Sequence, residues 1–132
     1  MQDKLIKKAN EMLERAYVPY SNFPVGAALL TEEGEVYGGC NIENASYPMT
    51  NCAERTAFFA AVADGNQKFK AIAVTSHAHI ATSPCGACRQ VMSEFCDADM
   101  PVYLTNKEGS ETIETTVGEL LPRSFKEEDM NL

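Results

Sequence analysis

Positive charge is scarce in this chain. Eleven Lys and Arg stand against nineteen Asp and Glu, giving a net charge of −8 over 132 residues. The basic residues are scattered, and Glu127-Glu128-Asp129 adds acid near the C-terminus. Proteins that track a nucleic-acid backbone need a basic patch, so no nucleic-acid polymer is expected as partner and a small-molecule substrate is. Long apolar runs are missing too. None approaches the roughly 20 residues that span a bilayer, and Met1-Gln2-Asp3-Lys4-Leu5 has no apolar stretch of signal-peptide type. We expect no membrane partner and a cytoplasmic location. The chain has no repeat, linker or low-complexity segment, and its length suits one domain over residues 1–132, large enough to bury roughly two-thirds of its unfolded surface without disulfides. Cysteine is odd in number: Cys40, Cys52, Cys85, Cys88 and Cys96. That count argues against a disulfide framework and for reduced thiols.

What is present reads as alternating helices and strands. Leu5, Ala9, Met12, Leu13 and Ala16 recur at helical spacing and predict a helix over 2–17. Strands are expected at Val25–Thr31, Val36–Ile42, Phe69–Ser76 and Pro101–Thr105, with an edge strand near Glu111–Thr115. A helix is predicted over Cys52–Asp64, capped by Thr50 or Asn51. A second runs over Cys85–Phe95, with Pro84 at a first-turn position, and a short one covers Val117–Leu121. The order implies an α/β fold with a mixed sheet of about five strands.

Three of the cysteines form the chemical signal: Cys52-Ala53-Glu54, and Pro84-Cys85-Gly86-Ala87-Cys88 further along. Three thiolates can hold zinc and leave its fourth position open, as catalytic zinc sites do. Cys52 on one side and Cys85 with Cys88 on the other are predicted at helix starts, where partial positive charge favours thiolate. Three thiolates and Zn²⁺ leave an excess charge of −1. Arg55, next to Glu54, is suited to donate to a thiolate sulfur and ease that excess. Glu54 is suited to acid/base work on a metal-activated water. A Pro-Cys-x-x-Cys pair, a third cysteine and a non-ligand glutamate are the features of zinc deaminases as a class.

Around these residues the chain resembles the cytidine deaminases of the small homotetrameric type. Cys52-Ala53-Glu54-Arg55-Thr56-Ala57 and Pro84-Cys85-Gly86-Ala87-Cys88-Arg89-Gln90 carry the likeness, with Phe23-Pro24-Val25-Gly26-Ala27-Ala28-Leu29, Gly39-Cys40-Asn41-Ile42-Glu43-Asn44-Ala45 and Glu119-Leu120-Leu121-Pro122. It spans nearly the whole chain. The resemblance implies a three-layer α/β/α sandwich with five strands, one zinc per subunit, and hydrolysis of cytidine and 2′-deoxycytidine to the uridines and ammonia, a step of pyrimidine salvage. Attack falls on C4, and Glu54 shuttles the protons. The resemblance also implies that Asn41 and Glu43 hold the ribose hydroxyls and that Phe23 packs on the pyrimidine. It places Ala53 in the substrate site, and has Ala45, Tyr47 and Phe125 contribute across subunits of a homotetramer. Pro48-Met49-Thr50-Asn51 is a local departure from the family pattern.

Other readings of the same residues exist. Cys85-x-x-Cys88 alone could be a redox pair, but Cys52-x-Glu54 has no place in one. A structural zinc knot would need a fourth ligand, and His77 and His79 are of the right type. A nucleoside antibiotic such as blasticidin S is an alternative deaminase substrate; Asn41 and Glu43 favour a free ribose. Arg55 could be a surface ion pair, Phe23 a core aromatic, and Phe58 and Phe59 are expected in the core. Cys40 and Cys96 read as buried small hydrophobes.

Overall fold

A computed structural model describes residues 1–130. Helix α1 (Gln2–Met12) turns Leu5 and Ala9 inward and tightens into a single 3₁₀ turn at Leu13–Arg15. The helix predicted to residue 17 therefore ends early. Ala16 is extended because Tyr17 donates its N–H to the Asn41 carbonyl (3.0 Å) and bridges Ile42.

Five strands follow: β1 (Val25–Thr31), β2 (Val36–Cys40), β3 (Phe69–Ser76), β4 (Pro101–Thr105) and β5 (Thr112–Thr116). They lie in the order β2-β1-β3-β4-β5, with β3 and β4 parallel and the other neighbours antiparallel. The bounds of β1, β3 and β4 are those the residue pattern predicts. Strand β2 stops two residues short, since Ile42 leaves the sheet to bridge Tyr17 and Asn51.

Side chains alternate across the sheet, as its two-residue period requires. Ala28, Leu30, Ala71 and Ala73 meet Leu5 and Ala9 of α1 on one face. Ala27, Leu29, Ile72, Val74, Val102 and Leu104 meet α2 (Ala53–Ala63) and α3 (Gly86–Phe95) on the other. Helices on both faces make the expected α/β/α sandwich, and a sheet buried on both sides explains the near-continuous apolar strands. Phe58 fills the α2 side, fully buried and edge-on to Phe69 at 5.2 Å. Phe59 does not join it. One residue on, about 100° around the helix, it is 48% exposed.

One glycine sets the depth at which α2 sits. A Cβ on Gly39 of β2 would lie 2.2 Å from the Ala53 carbonyl oxygen and 2.6 Å from the Ala57 nitrogen. Only a residue without a side chain admits the helix this close to the sheet.

Candidate active site

Each thiol owes its place to a helix start. Cys52 is the N-cap of α2, with extended backbone (φ −77°, ψ 157°), and Cys85 is the N-cap of α3 (φ −72°, ψ 169°). The expected caps are thus displaced by one or two residues. Asn51 is instead engaged with Ile42 in two backbone hydrogen bonds of 2.9 Å, and its side chain donates to Thr56. Pro84 precedes the α3 cap rather than opening the first turn. Its ring stiffens the approach, and it has no N–H to leave unpaired. The Cys85 Sγ itself accepts the Cys88 N–H, at 3.5 Å.

Residues 33 positions apart in sequence therefore converge. Cys52 Sγ lies 3.7 Å from Cys85 Sγ, and Cys85 Sγ lies 3.4 Å from Cys88 Sγ. All three fall within 4.8 Å of one another, the only such group of metal-binding side chains among the described residues. His77 and His79 stay outside it, exposed beyond β3, so the four-ligand knot has no fourth ligand here. The sulfurs are too far apart for a disulfide, whose S–S bond is about 2.05 Å. A tetrahedral zinc with bonds of about 2.3 Å needs sulfur separations of about 3.8 Å, and the observed ones are close to that.

Charge points the same way. The Cys52 thiol is pulled down to about 5, chiefly by a hydrogen bond from Cys88 and then, against burial, by Arg55 and Cys85. Cys88 is pushed far up, first by that same bond to Cys52 and then by burial. These are two sides of one shared proton: without a cation the trio readily holds one negative charge. A divalent metal replaces such protons when it binds. Arg55 Nη2 donates to Cys52 Sγ at 3.4 Å, while its Nε is buried without a partner. An orphaned cationic donor beside the sulfurs suits a centre that keeps a negative excess with metal bound. The donor set therefore fits zinc, with soft thiolates and one open direction.

Glu54 lies in the first turn of α2 and is 4% exposed. Burial pushes its carboxyl up to about 7, and the neighbouring Cys52 thiolate adds to the rise, against Arg55 and its own backbone N–H. Cys40 and Cys96, by contrast, are thiols raised by burial, Cys96 to about 12, and neither belongs to the cluster.

The other expected site residues form a second group, stitched to the first through the Ile42–Asn51 pair. Asn41 Oδ1 accepts the Val25 N–H and its Nδ2 donates to the Phe23 carbonyl, both at 2.9 Å. The carboxylate of Glu43 accepts the N–H groups of Tyr20 (3.0 Å) and Ser21 (3.1 Å) and the Ser21 hydroxyl. Asn41 and Glu43 thus clip the 20–25 loop, a role that residue type alone did not reveal. Phe23 projects from that loop, 44% exposed, so it is not a core aromatic. Tyr47 meets Tyr20 edge-on at 6.1 Å, and both line a cavity of about 390 Å³ with Ser21, Glu43 and Thr50. That volume lies within the range of roughly 300–1,000 Å³ for small-molecule sites. A larger hollow, about 540 Å³, lies against the C-terminal segment and includes none of the three thiols. Ala45 is exposed on the 43–50 loop. Ala53 has no exposed surface; as the first residue of α2 it offers only a backbone N–H. Phe125 is 59% exposed beside α3, where Gln90 donates to its carbonyl at 2.8 Å.

Comparison with known proteins agrees with this geometry. Residues 1–104 match the model of the cytidine and deoxycytidylate deaminase zinc-binding region. A cytidine deaminase of Sporosarcina psychrophila is 60% identical over 129 residues, 98% of this chain and 94% of that protein. One from Halalkalibacterium halodurans is 58% identical over 127 residues, 96% of each. The solved cytidine deaminase of Burkholderia pseudomallei, 50% identical, covers 95% of this chain and 99% of that one with a TM-score of 0.91. The three-thiol cluster, its buried glutamate and the sandwich that carries them place this chain in the cytidine and deoxycytidylate deaminase family.

Proposed function

We propose that the protein is a zinc-dependent cytidine deaminase. It hydrolyses cytidine and 2′-deoxycytidine to uridine and 2′-deoxyuridine and releases ammonia. The observation that carries this reading is a buried, readily protonated Glu54 two residues from a three-thiol cluster with an open side.

Cys52, Cys85 and Cys88 would hold the zinc, one ion per subunit. When bound, the metal supplies Lewis-acid activation of a water molecule. Arg55 offsets the surplus thiolate charge. Glu54, set by burial near neutrality, accepts a proton as water adds to C4 and delivers it to N3. A second proton transfer lets the C4 amine depart as ammonia. Water supplies the oxygen of the product, and no redox change occurs. Proton transfer by a positioned group contributes about 10²–10⁴ in rate.

Substrate selection falls to the second group. Oε1 of Glu43 accepts two internal bonds and Oε2 one, so Oε2 keeps a lone pair free, which suits a ribose hydroxyl. Asn41 holds Phe23, whose exposed ring is available to a pyrimidine face. The substrate class is a free nucleoside rather than a polymer, in keeping with the net charge of −8.

The assembly is a homotetramer with shared sites. The outer face of α2 supports it: Phe59, Ala60 and Ala63 are exposed. Tyr47 (71%), Met49 (65%) and Phe125 (59%) are exposed as well. Such a surface calls for a partner. Tyr47, Ala45 and Phe125 are the residues we assign to a neighbouring subunit's site. The compartment is the cytoplasm, in keeping with five free thiols. No helix among the described residues is long and apolar enough to cross a membrane.

The decisive assay follows loss of ultraviolet absorbance with cytidine, 2′-deoxycytidine, cytosine and blasticidin S in parallel, with zinc content measured. Turnover of both nucleosides, abolished in Glu54→Gln while zinc stays bound, is expected. Full turnover in that variant overturns the assignment. Sedimentation of an active sample at monomer mass overturns the shared site.

A further inference from the structure

Arg89 lies next to Cys88 but its side chain is spent elsewhere. Its Nε donates to the Pro84 carbonyl at 2.8 Å, Nη2 to Ser83 Oγ at 2.7 Å and Nη1 to the Leu120 carbonyl at 2.7 Å. Its backbone N–H donates to the Cys85 carbonyl at 3.0 Å. One residue thus grips two successive carbonyls, of Pro84 and Cys85, at the point where the chain turns into α3. Leu120 ends α4 (Val117–Leu120), where carbonyls lack helical partners. Helix α4 is itself fixed, since Val117 and Gly118 donate to the Met100 and Ala98 carbonyls at 3.2 and 2.8 Å.

The need for such a grip is local. Cys52 and Cys88 are partly or fully buried, but Cys85 is exposed. It caps the helix from an extended segment with solvent on one side. Its own side chain is held toward the other two sulfurs only by its contacts with them and a long 3.5 Å bond from the Cys88 N–H.

We propose that Arg89 is a positioning residue for the metal centre: it ties the Ser83-Pro84 segment to the end of α4 and so keeps the Cys85 thiolate in the ligand set. The proposal rests on reading the three thiols as a zinc site. The guanidinium acts through backbone and never touches a sulfur. Its geometry is the point: three directed bonds from one planar fork, which an ammonium group does not reproduce.

The test is zinc release from the purified holoprotein to excess chromogenic chelator, with thermal unfolding and circular dichroism in parallel. Arg89→Ala and Arg89→Lys are both expected to release zinc about 10–100-fold faster, the usual reach of groups that orient metal ligands. Ser93→Ala is the control for general loosening of α3, because it removes only the 2.5 Å contact with Ser124; release within about twofold of the parent is expected. Where Arg89→Ala does not fold, Ser83→Ala decides: it removes one bond at an exposed position, and release roughly threefold faster supports the grip. Parent-like release in a folded Arg89→Ala or in Ser83→Ala overturns the proposal. So does full recovery by Arg89→Lys, which would assign the effect to charge. A parent protein that binds no zinc overturns the metal reading, and this proposal with it.

Discussion

Gly39 is thirteen residues from Cys52 and outside every metal motif, yet Gly39→Ala is expected to damage the zinc site. The added Cβ would stand 2.2 Å from the Ala53 carbonyl oxygen, 2.6 Å from the Ala57 nitrogen and 2.9 Å from the Ala57 Cβ. Real Cβ contacts are essentially never shorter than 3.0 Å, so α2 and β2 must separate by at least 0.8 Å, the difference between 3.0 and 2.2 Å. Two of the three neighbours are helix backbone, which cannot rotate away. Helix α2 carries Cys52 and Glu54, while Cys85 and Cys88 ride on α3. A retreat of α2 alone opens the 3.7 Å Cys52–Cys85 separation beyond the edge of about 3.8 Å that zinc prefers. Overpacking of this kind costs about 1–3 kcal/mol, which at roughly 3–5 °C per kcal/mol lowers the melting temperature by about 3–15 °C. Zinc affinity should fall about 10–100-fold. The control is Gly86→Ala, between two metal-binding cysteines, where a Cβ meets nothing within 4 Å. That variant should match or slightly exceed the parent in stability, since alanine restricts the unfolded chain. Chelator competition and a thermal melt on both variants suffice. If Gly39→Ala keeps parental zinc affinity and melting temperature, or Gly86→Ala is the more damaged, close helix–sheet approach does not set the site.

Asn41→Ala removes both bonds that brace the Phe23 and Val25 backbone. KM for cytidine should rise about tenfold with kcat much less affected; an unchanged KM would deny the loop its role. Phe58→Ala empties the largest fully buried side chain on the α2 side and should cost about 3–5 kcal/mol in denaturant unfolding; a loss under about 1 kcal/mol would mean that the core there is not close-packed. The Ser21 hydroxyl, ahead of the Ser21 and Tyr20 N–H groups, holds the Glu43 carboxyl below its ordinary 4.5, against some desolvation. A carboxyl lowered in the folded state favours folding above its ordinary value and loses that contribution as pH falls through the lowered one. Tyrosine emission, unobscured because the chain has no Trp, should therefore report loosening of the 20–23 loop only below 4.5, and Ser21→Ala should move that midpoint upward. A midpoint unmoved by the substitution would remove Ser21 as the cause.

What could be read in the residues and what could not divide along physical lines. Strands β1, β3 and β4 declared themselves because each is buried on both faces and bounded by turn residues. The thiols declared themselves because so few side chains can bind zinc that their spacing alone narrows the chemistry. Other features depend on partners distant in sequence, which no local pattern contains. The early end of α1 is caused by Tyr17 pairing with Ile42, and the end of β2 by the same bridge. As bare residues Asn41 and Glu43 look more like a solvated edge than like ligands until the 20–25 loop is seen resting on them. Cysteine as a helix cap was missed because its sulfur is a weak acceptor, so Thr50 and Asn51 were the better chemical candidates. Phe59 carries the hydrophobicity of a core residue at an outward angle. Arg89 lies within the motif, but its three acceptors come from two segments.

The pairing of Ile42 with Asn51 closes the base of an eight-residue excursion, 43–50, with two backbone hydrogen bonds of 2.9 Å. The catalytic helix begins just past that closure, so the excursion can change length or composition without carrying Cys52 with it. Doubling such a loop adds only about 0.6 kcal/mol of closure entropy. Beyond Glu43, which braces the 20–25 loop, the excursion is thus a replaceable cassette on a fixed frame. New contacts to a nucleoside or to a neighbouring chain can be selected or engineered there while the sulfur geometry stays as it is.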